Sequence, residues 1–203
     1  MEIIVMENKR QVFVARKEDL GRLMEIFEAA KRFMRANGNA TQWNGAYPSE
    51  ELILKEIREG HCFIVMEEKR IIGTFCFIIG EDPTYNVIHD GAWLDDAPYG
   101  TIHRIASDGS SRGVGHTCVE FCSSLVGTLR ADTHEDNRPM RNLLEKEGFV
   151  RCGIIFIADG SPRIAFQRIN RTPCRKRPSS LVSPGFSEEN ISGNCLEYKT
   201  TSE

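Results

Sequence analysis

What this sequence lacks narrows its function quickly. Its cysteines include no CxxC pair, and no pair of histidines follows Cys118 and Cys122 at zinc-binding spacing, so a metal site is not expected. A GxxxxGK[ST] loop is missing, which removes the Walker nucleotide site. No apolar run approaches the roughly 20 residues that cross a membrane. The first residues, Met1-Glu2-Ile3-Ile4-Val5-Met6-Glu7, carry no basic region ahead of a long apolar core. Positive charge is not in excess either. The formal net charge is -3, where a nucleic-acid binder would show a basic patch. The 7 cysteines are odd in number and most lie in apolar runs, the pattern of reduced core thiols. The expectation is a soluble, cytoplasmic protein, monomer or homodimer, with no metal, membrane or nucleic-acid partner.

What is present is globular. The chain is 40% hydrophobic and 27% charged, and its 203 residues suit one domain plus a tail. The domain is expected over residues 1–170, its regular pattern starting near residue 11. Residues 11–15 read as a short strand. Leu20, Leu23, Met24, Phe27 and Met34 repeat at helical spacing, and Asn37-Gly38 stops that helix. Ser49 is a good N-cap for a second helix ending at Gly60. A hairpin follows over 62–66 and 71–79. A long acidic connection over 81–96 leads to a strand over 101–107; its carboxylates Glu81, Asp82, Asp90, Asp95 and Asp96 would suit a cationic acceptor, though such runs are usually solvated faces. A Gly-rich turn then opens a helix carrying Val114, Cys118, Phe121, Cys122 and Leu125, followed by a strand over 129–133. The last helix is expected at Arg138–Lys146, with Pro139 in its first turn and Gly148 after its end. Two strands, 150–157 and 163–167, close the domain. The order is β-α-α-β-β-β-α-β-α-β-β, an α/β (α+β) mixed sheet with helices on both faces. Residues 171–203, rich in Ser, Pro, Thr and Asn, read as a polar tail, disordered or loosely docked.

The chemistry concentrates where the strand Ile105-Ala106-Ser107 meets the turn Arg112-Gly113-Val114-Gly115-His116-Thr117. The first turn of a helix has backbone N–H groups with no intrahelical partner, and the helix dipole adds partial positive charge there. Such a turn suits a pyrophosphate. A dinucleotide fingerprint would need GxGxxG, and position 118 is Cys. The turn instead resembles the [Q/R]-x-x-G-x-[G/A] signature of the GNAT superfamily, with Thr117 in the last small-residue place. Downstream, Asn137-x-x-Met140-x-x-Leu143-Leu144-Glu145-Lys146-Glu147-Gly148-Phe149 resembles that family's N-x-x-A-x-x-L-Y-E-K-x-G-F block. Gln42-Trp43 and Tyr47-Pro48, between the first two helices, are similar to a bacterial subset whose substrates are poorly defined.

The resemblance implies a splayed central sheet and acetyl-CoA as co-substrate. An acetyl group would pass to the amine of a small molecule or peptide by direct attack on the thioester. By position, the amides of residues 112–117 would bind the pyrophosphate, and the backbone of Ile105 and Ser107 would pair with the pantetheine arm. Asn137 either contacts CoA or simply caps its helix. Leu144 stands where the family often has a Tyr that protonates the leaving thiolate, which keeps open a non-catalytic acyl-CoA-binding sensor.

An amine is mostly protonated at neutral pH, so a base must act before attack. Histidine suits this task. His103, read as in phase with Ile105 and Ser107, and His134, at the carboxyl end of a strand, are the candidates; the other reading of each is a hydrogen-bonded structural histidine. Asp132 either orients an imidazole, binds a cation or anchors a loop. Trp43 and Tyr47 either wall the acceptor pocket or pin the loop to the core. A chain ending at residue 170 is expected to melt within a few degrees of the full chain by thermal denaturation; a large drop would show that the segment beyond it packs on the domain or across a dimer.

Overall fold

The computed structural model describes residues 4–5 and 10–170, so the expected polar tail lies outside the described residues. The helix expected from the repeat of large apolar residues forms as α1 (Leu20–Ala36), which buries Leu23, Ile26, Phe27, Ala30 and Met34. It stops where Asn37 Nδ2 donates to Phe33 O at 2.8 Å and Gly38 turns left-handed at φ 85°. α2 (Glu50–Arg58) starts on Ser49, whose Oγ accepts from Leu52 N–H at 3.2 Å.

The strands are β1 (Ile4–Val5), β2 (Arg10–Val14), β3 (Cys62–Glu67), β4 (Arg70–Ile79), β5 (Gly100–Ser107), β6 (Thr128–Thr133), β7 (Val150–Phe156) and β8 (Pro162–Ile169). Among the described residues they form one sheet in the order β1-β2-β3-β4-β5-β6-β8-β7. β1 was not expected from the sequence, since two residues are too few to show an alternation. Every pairing is antiparallel except β5 with β6. That disposes of the dinucleotide reading, which needs a parallel sheet built from βαβ units.

Helices cover both faces. α1 and α2 pack Leu23, Phe27 and Ile53 against Cys62, Ile64, Cys76 and Ala106. On the other face α3 (Val114–Ser123) packs Cys118, Phe121 and Cys122 against Phe63, Phe75 and Leu129, joined by Leu144 of α4 (Arg138–Lys146). Burial of these side chains at about 25 cal/mol per Å² is the main force holding the layers together. No helix among the described residues is long and apolar enough to cross a membrane.

The acidic connection is largely exposed, as expected, with Glu81, Asp90 and Asp96 at the surface, but aromatic and polar contacts dock it on the sheet. Pro83–Tyr85 forms a 3-10 turn, and Tyr85, only 1% exposed, packs with Tyr99, Ile155 and Ala165. Trp93 stacks on Tyr85 at 5.7 Å and its Nε1 donates to Tyr85 O at 3.0 Å. Further along, Leu94 N–H donates to Gln167 Oε1 at 2.7 Å, and Gln167 Nε2 donates to Asp95 at 2.8 Å. The carboxylates of this segment obscured the aromatic residues that dock it.

Docking also needs close backbone approach. His89 pairs with Ile154 of β7, and a Cβ on Gly91 would stand 1.9 Å from Cys152 O. Backbone cannot swing away as a side-chain tip can. Gly91→Ala is therefore expected to cost about 1–3 kcal/mol of stability by denaturant unfolding; an unchanged midpoint would show that the segment is not seated on β7 as described.

Candidate active site

β5 and β6 run together for only three residue pairs, Gly100–Leu129, Thr101–Arg130 and Ile102–Ala131. β5 continues to Ser107 on β4 alone. From His103 onward its other edge is unpaired in the sheet. Asp108 N–H donates to Ile72 O of β4 at 3.1 Å. Amides alternate in direction along a strand, so those of Ile105 and Ser107 face away from β4, into the gap. An open strand edge is a template for an extended partner with amides of its own. The gap opens into a cavity of about 1100 Å³ running from the α1–α2 loop to the turn before α3.

That turn places Gly113 at φ 86° as the N-cap of α3, a conformation costly for any residue with a Cβ. The N–H groups of Val114, Gly115 and His116 have no hydrogen-bond partner among the described residues. Thr117 differs. Its N–H donates to Gly113 O at 3.0 Å and its hydroxyl to the same carbonyl at 3.2 Å, so the helix itself consumes that amide. Arg10 braces the turn from behind, donating to Ser111 Oγ at 2.7 Å and to Arg112 O at 2.5 Å. Gly115 has a packing reason beyond access to an anion: a Cβ there would lie 2.4 Å from Leu143 Cδ2 of α4. The His116 ring turns outward to Glu147 at 2.9 Å.

His103 is not in phase with Ile105 and Ser107. A bulge intervenes, since Cys76 opposes His103 and Thr74 opposes Ala106, with Arg104 as an extra residue at φ 54°. The bulge flips the phase, so His103 faces the α1 side with Cys76 and Ala106. The sequence signal was available: His103-Arg104 puts two polar residues in a row and breaks the alternation.

His103 Nε2 lies 3.1 Å from Asp82 Oδ2. A carboxylate accepts, so Nε2 carries the proton and the Nδ1 lone pair remains on a side chain lining the cavity. Burial alone would raise the Asp82 carboxyl, but hydrogen bonds from His103 and from the Thr84 amide outweigh it and hold it below the ordinary range. Beside this pair, Tyr85 OH donates to Asp132 Oδ1 at 2.6 Å, and the Tyr85 ring meets His103 edge-on at 6.0 Å. Burial, reinforced by the Asp132 charge, pushes the Tyr85 hydroxyl well above its ordinary pKa. Asp132 thus serves Tyr85, with Arg163 Nε at 3.9 Å, and orients neither histidine. Asp82 and Tyr85 were missed; Asp82-Pro83 is a turn signal, but nothing in it points across 21 residues to His103.

His134 is placed differently. Its Nδ1 accepts from Asp136 N–H at 3.2 Å. The same Nδ1 lies 3.5 Å from Asp136 Oδ2, so that nitrogen is occupied within its own turn. Asn137 caps α4: its Oδ1 accepts from Met140 N–H at 3.2 Å and its Nδ2 donates to Gln42 Oε1 at 2.9 Å. Gln42 also accepts from Asn39 Nδ2 at 2.8 Å, so the α1–α2 loop is tied across the cavity to α4. Trp43 and Tyr47 both line the cavity and pin the loop, with Trp43 edge-on to Phe27 at 5.7 Å and to Tyr47 at 6.4 Å. Leu144, 1% exposed, sits in the core beneath the cavity.

No protein-family model and no curated protein matches this sequence. Solved structures do. An acetyltransferase of the GNAT family from Streptococcus agalactiae is 28% identical with a TM-score of 0.74, over 80% of this chain and 96% of that one. A ribosomal-protein-S5-alanine acetyltransferase from Vibrio fischeri is 16% identical with a TM-score of 0.51, over 84% and 98%. An aminoglycoside acetyltransferase solved with coenzyme A is 19% identical with a TM-score of 0.53, over 79% and 94%. The chain has the GNAT acetyltransferase fold, with its mixed, open sheet. That fold supports acetyl transfer in general.

Because both ends of the Asn137 amide are already engaged within the protein, Asn137→Ala is expected to cost about 1 kcal/mol or more in stability, while affinity for coenzyme A by calorimetry stays near that of the parent. A large loss of affinity at unchanged stability would instead make Asn137 a cofactor ligand.

Proposed function

We propose that this protein transfers an acetyl group from acetyl-CoA to the amine of a small molecule or peptide. The observation that carries the proposal is the unpaired edge of β5 leading from the His103–Asp82 pair to the N-terminus of α3. The residues fit such a co-substrate: amides of Ile105 and Ser107 face the gap, and unpartnered amides of Val114, Gly115 and His116 cluster at a helix start. Acetyl-CoA would supply the activated acyl group. Ile105 and Ser107 would hold its pantetheine arm, and the α3 turn, with Arg112 beside it, its pyrophosphate.

The chain's own residues then handle the acceptor. Asp82 fixes the His103 ring and stabilises the imidazolium that forms when Nδ1 takes the amine proton. Trp43 and Tyr47 wall the acceptor end. No side-chain acid stands at Leu144, and a thiolate leaves readily without one, since thiols ionise far more easily than alcohols. The Vibrio fischeri and aminoglycoside enzymes take, by their names, a protein alanine and an aminoglycoside. Amine acceptors on this fold therefore span proteins and small molecules.

His103→Ala is expected to lower kcat by roughly 10²–10⁴-fold and to flatten the rising limb of the pH–rate profile, read by thiol release from acetyl-CoA. A protonated base cannot accept, so the limb rises with pH. No falling limb is expected near the ordinary Tyr value of about 10. His134→Ala should keep the limb. Near-parental turnover in His103→Ala would remove it as the base.

A further inference from the structure

The bulge in β5 does more than turn His103. It inserts Arg104 as the next residue, in a left-handed conformation that a non-glycine residue adopts only where its surroundings over-determine it. The surroundings are plain. Arg104 Nε donates to Tyr47 OH at 2.9 Å and Nη1 donates to Glu56 Oε1 at 3.0 Å. The guanidinium carbon lies 5.9 Å from the centre of the Tyr47 ring. Glu56 is itself buried, 6% exposed, and is shared with His61 at 3.3 Å. The side chain is therefore fixed from behind by α2 and from the side by the α1–α2 loop.

A guanidinium has five N–H donors. Two are spent, and Nη2 has no partner among the described residues, on a side chain that lines the cavity. Arg163 also lines the cavity, on the β8 side near Asp132. Arg163 spends Nη1 on Pro162 O at 2.9 Å and sets Nε toward Asp132. Arg104 thus keeps donors to spare and adjoins His103 in the chain.

Resting on the acyl-transfer reading above, we infer that the acceptor is an amine that also carries a carboxylate, a free α-amino acid being the smallest case, with its carboxylate on Arg104 and its amine at His103. Consecutive residues of one strand supply the two groups, and their Cα atoms are about 3.8 Å apart. A planar guanidinium matches a carboxylate with paired N–H groups, which an ammonium cannot do. Phe33 and Trp43, on the same wall, offer apolar surface to the rest of the molecule. Polyamines and aminoglycosides have no anionic group for Arg104 and would set a cation beside it. A peptide N-terminus has no carboxylate on the carbon that bears its amine.

The test is calorimetric, on the full chain. Leucine, methionine and phenylalanine are titrated alongside their carboxamides, with and without coenzyme A present. The free amino acids are expected to bind about 10- to 100-fold more tightly than the carboxamides, the scale of a charged hydrogen-bonded pair. Arg104→Lys should erase that difference while coenzyme A affinity holds, which also shows that the variant is folded. Tyr47→Phe, which frees only Nε, should narrow the difference without erasing it. Equal binding of both series, tighter binding of the carboxamides, or no binding of either overturns the inference. The two readings fail separately. Thiol release with carboxamides or diamines alone would leave acyl transfer standing and sink the amino-acid acceptor. Binding of amino acids that Arg104→Lys weakens, without thiol release from acetyl-CoA, would sink acyl transfer and leave only the amino-acid site at Arg104.

Discussion

Everything at this site depends on where two parallel strands stop pairing. β5 and β6 share three residue pairs and then part. A buried strand edge with unmet amides is costly in an ordinary core, because each orphaned N–H forfeits its hydrogen bond to water. The edge persists because it borders a cavity and because β5 stays anchored on β4 through to Ser107. The same parting exposes the start of α3 at one end and the His103–Asp82 pair at the other. One break in one ladder thus arranges an amide edge, a helix N-terminus and the His103–Asp82 pair along a single channel.

The His103 end of the cavity is set by a second local irregularity. Without the extra residue at Arg104, His103 would share a face with Ile105 and Ser107, away from Asp82. The bulge moves it to the α1 side, where the segment carrying Asp82 and Tyr85 can reach it. That segment is held by Trp93, Gln167 and the approach of Gly91 to β7. A stretch that reads as an acidic loop is therefore a structural part of the site: it brings the carboxylate that sets the His103 tautomer and the aromatic ring that packs against it.

Much of the fold was legible in the sequence because its signals are local. Ser49, Asn37-Gly38 and Asn137-Arg138-Pro139 mark helix ends through groups that bond within a few residues. The apolar repeats of α1 and α3 named the faces they bury. The turn before α3 was legible for the same reason. The side-chain pairs of the candidate site were not, because they join residues distant in sequence: His103 with Asp82, Tyr85 with Asp132, Asn137 with Gln42. Periodicity carries no information about such contacts. His134 shows the converse. Its position at a strand's carboxyl end suggested a base, and short-range contacts with the Asp136 amide and carboxylate engage its Nδ1. Arg104 lay between the two cases, since the consecutive polar pair signalled a bulge but not which groups would hold the guanidinium.

The most direct test of the β5 edge as the cofactor's binding strand is backbone hydrogen exchange, with and without coenzyme A. Added coenzyme A is expected to slow exchange at Ile105, Ser107 and the 113–116 turn, and to leave the β7–β8 edge unchanged. Unaltered exchange at Ile105 and Ser107 in a protein saturated with coenzyme A, or protection confined to another part of the surface, would contradict it.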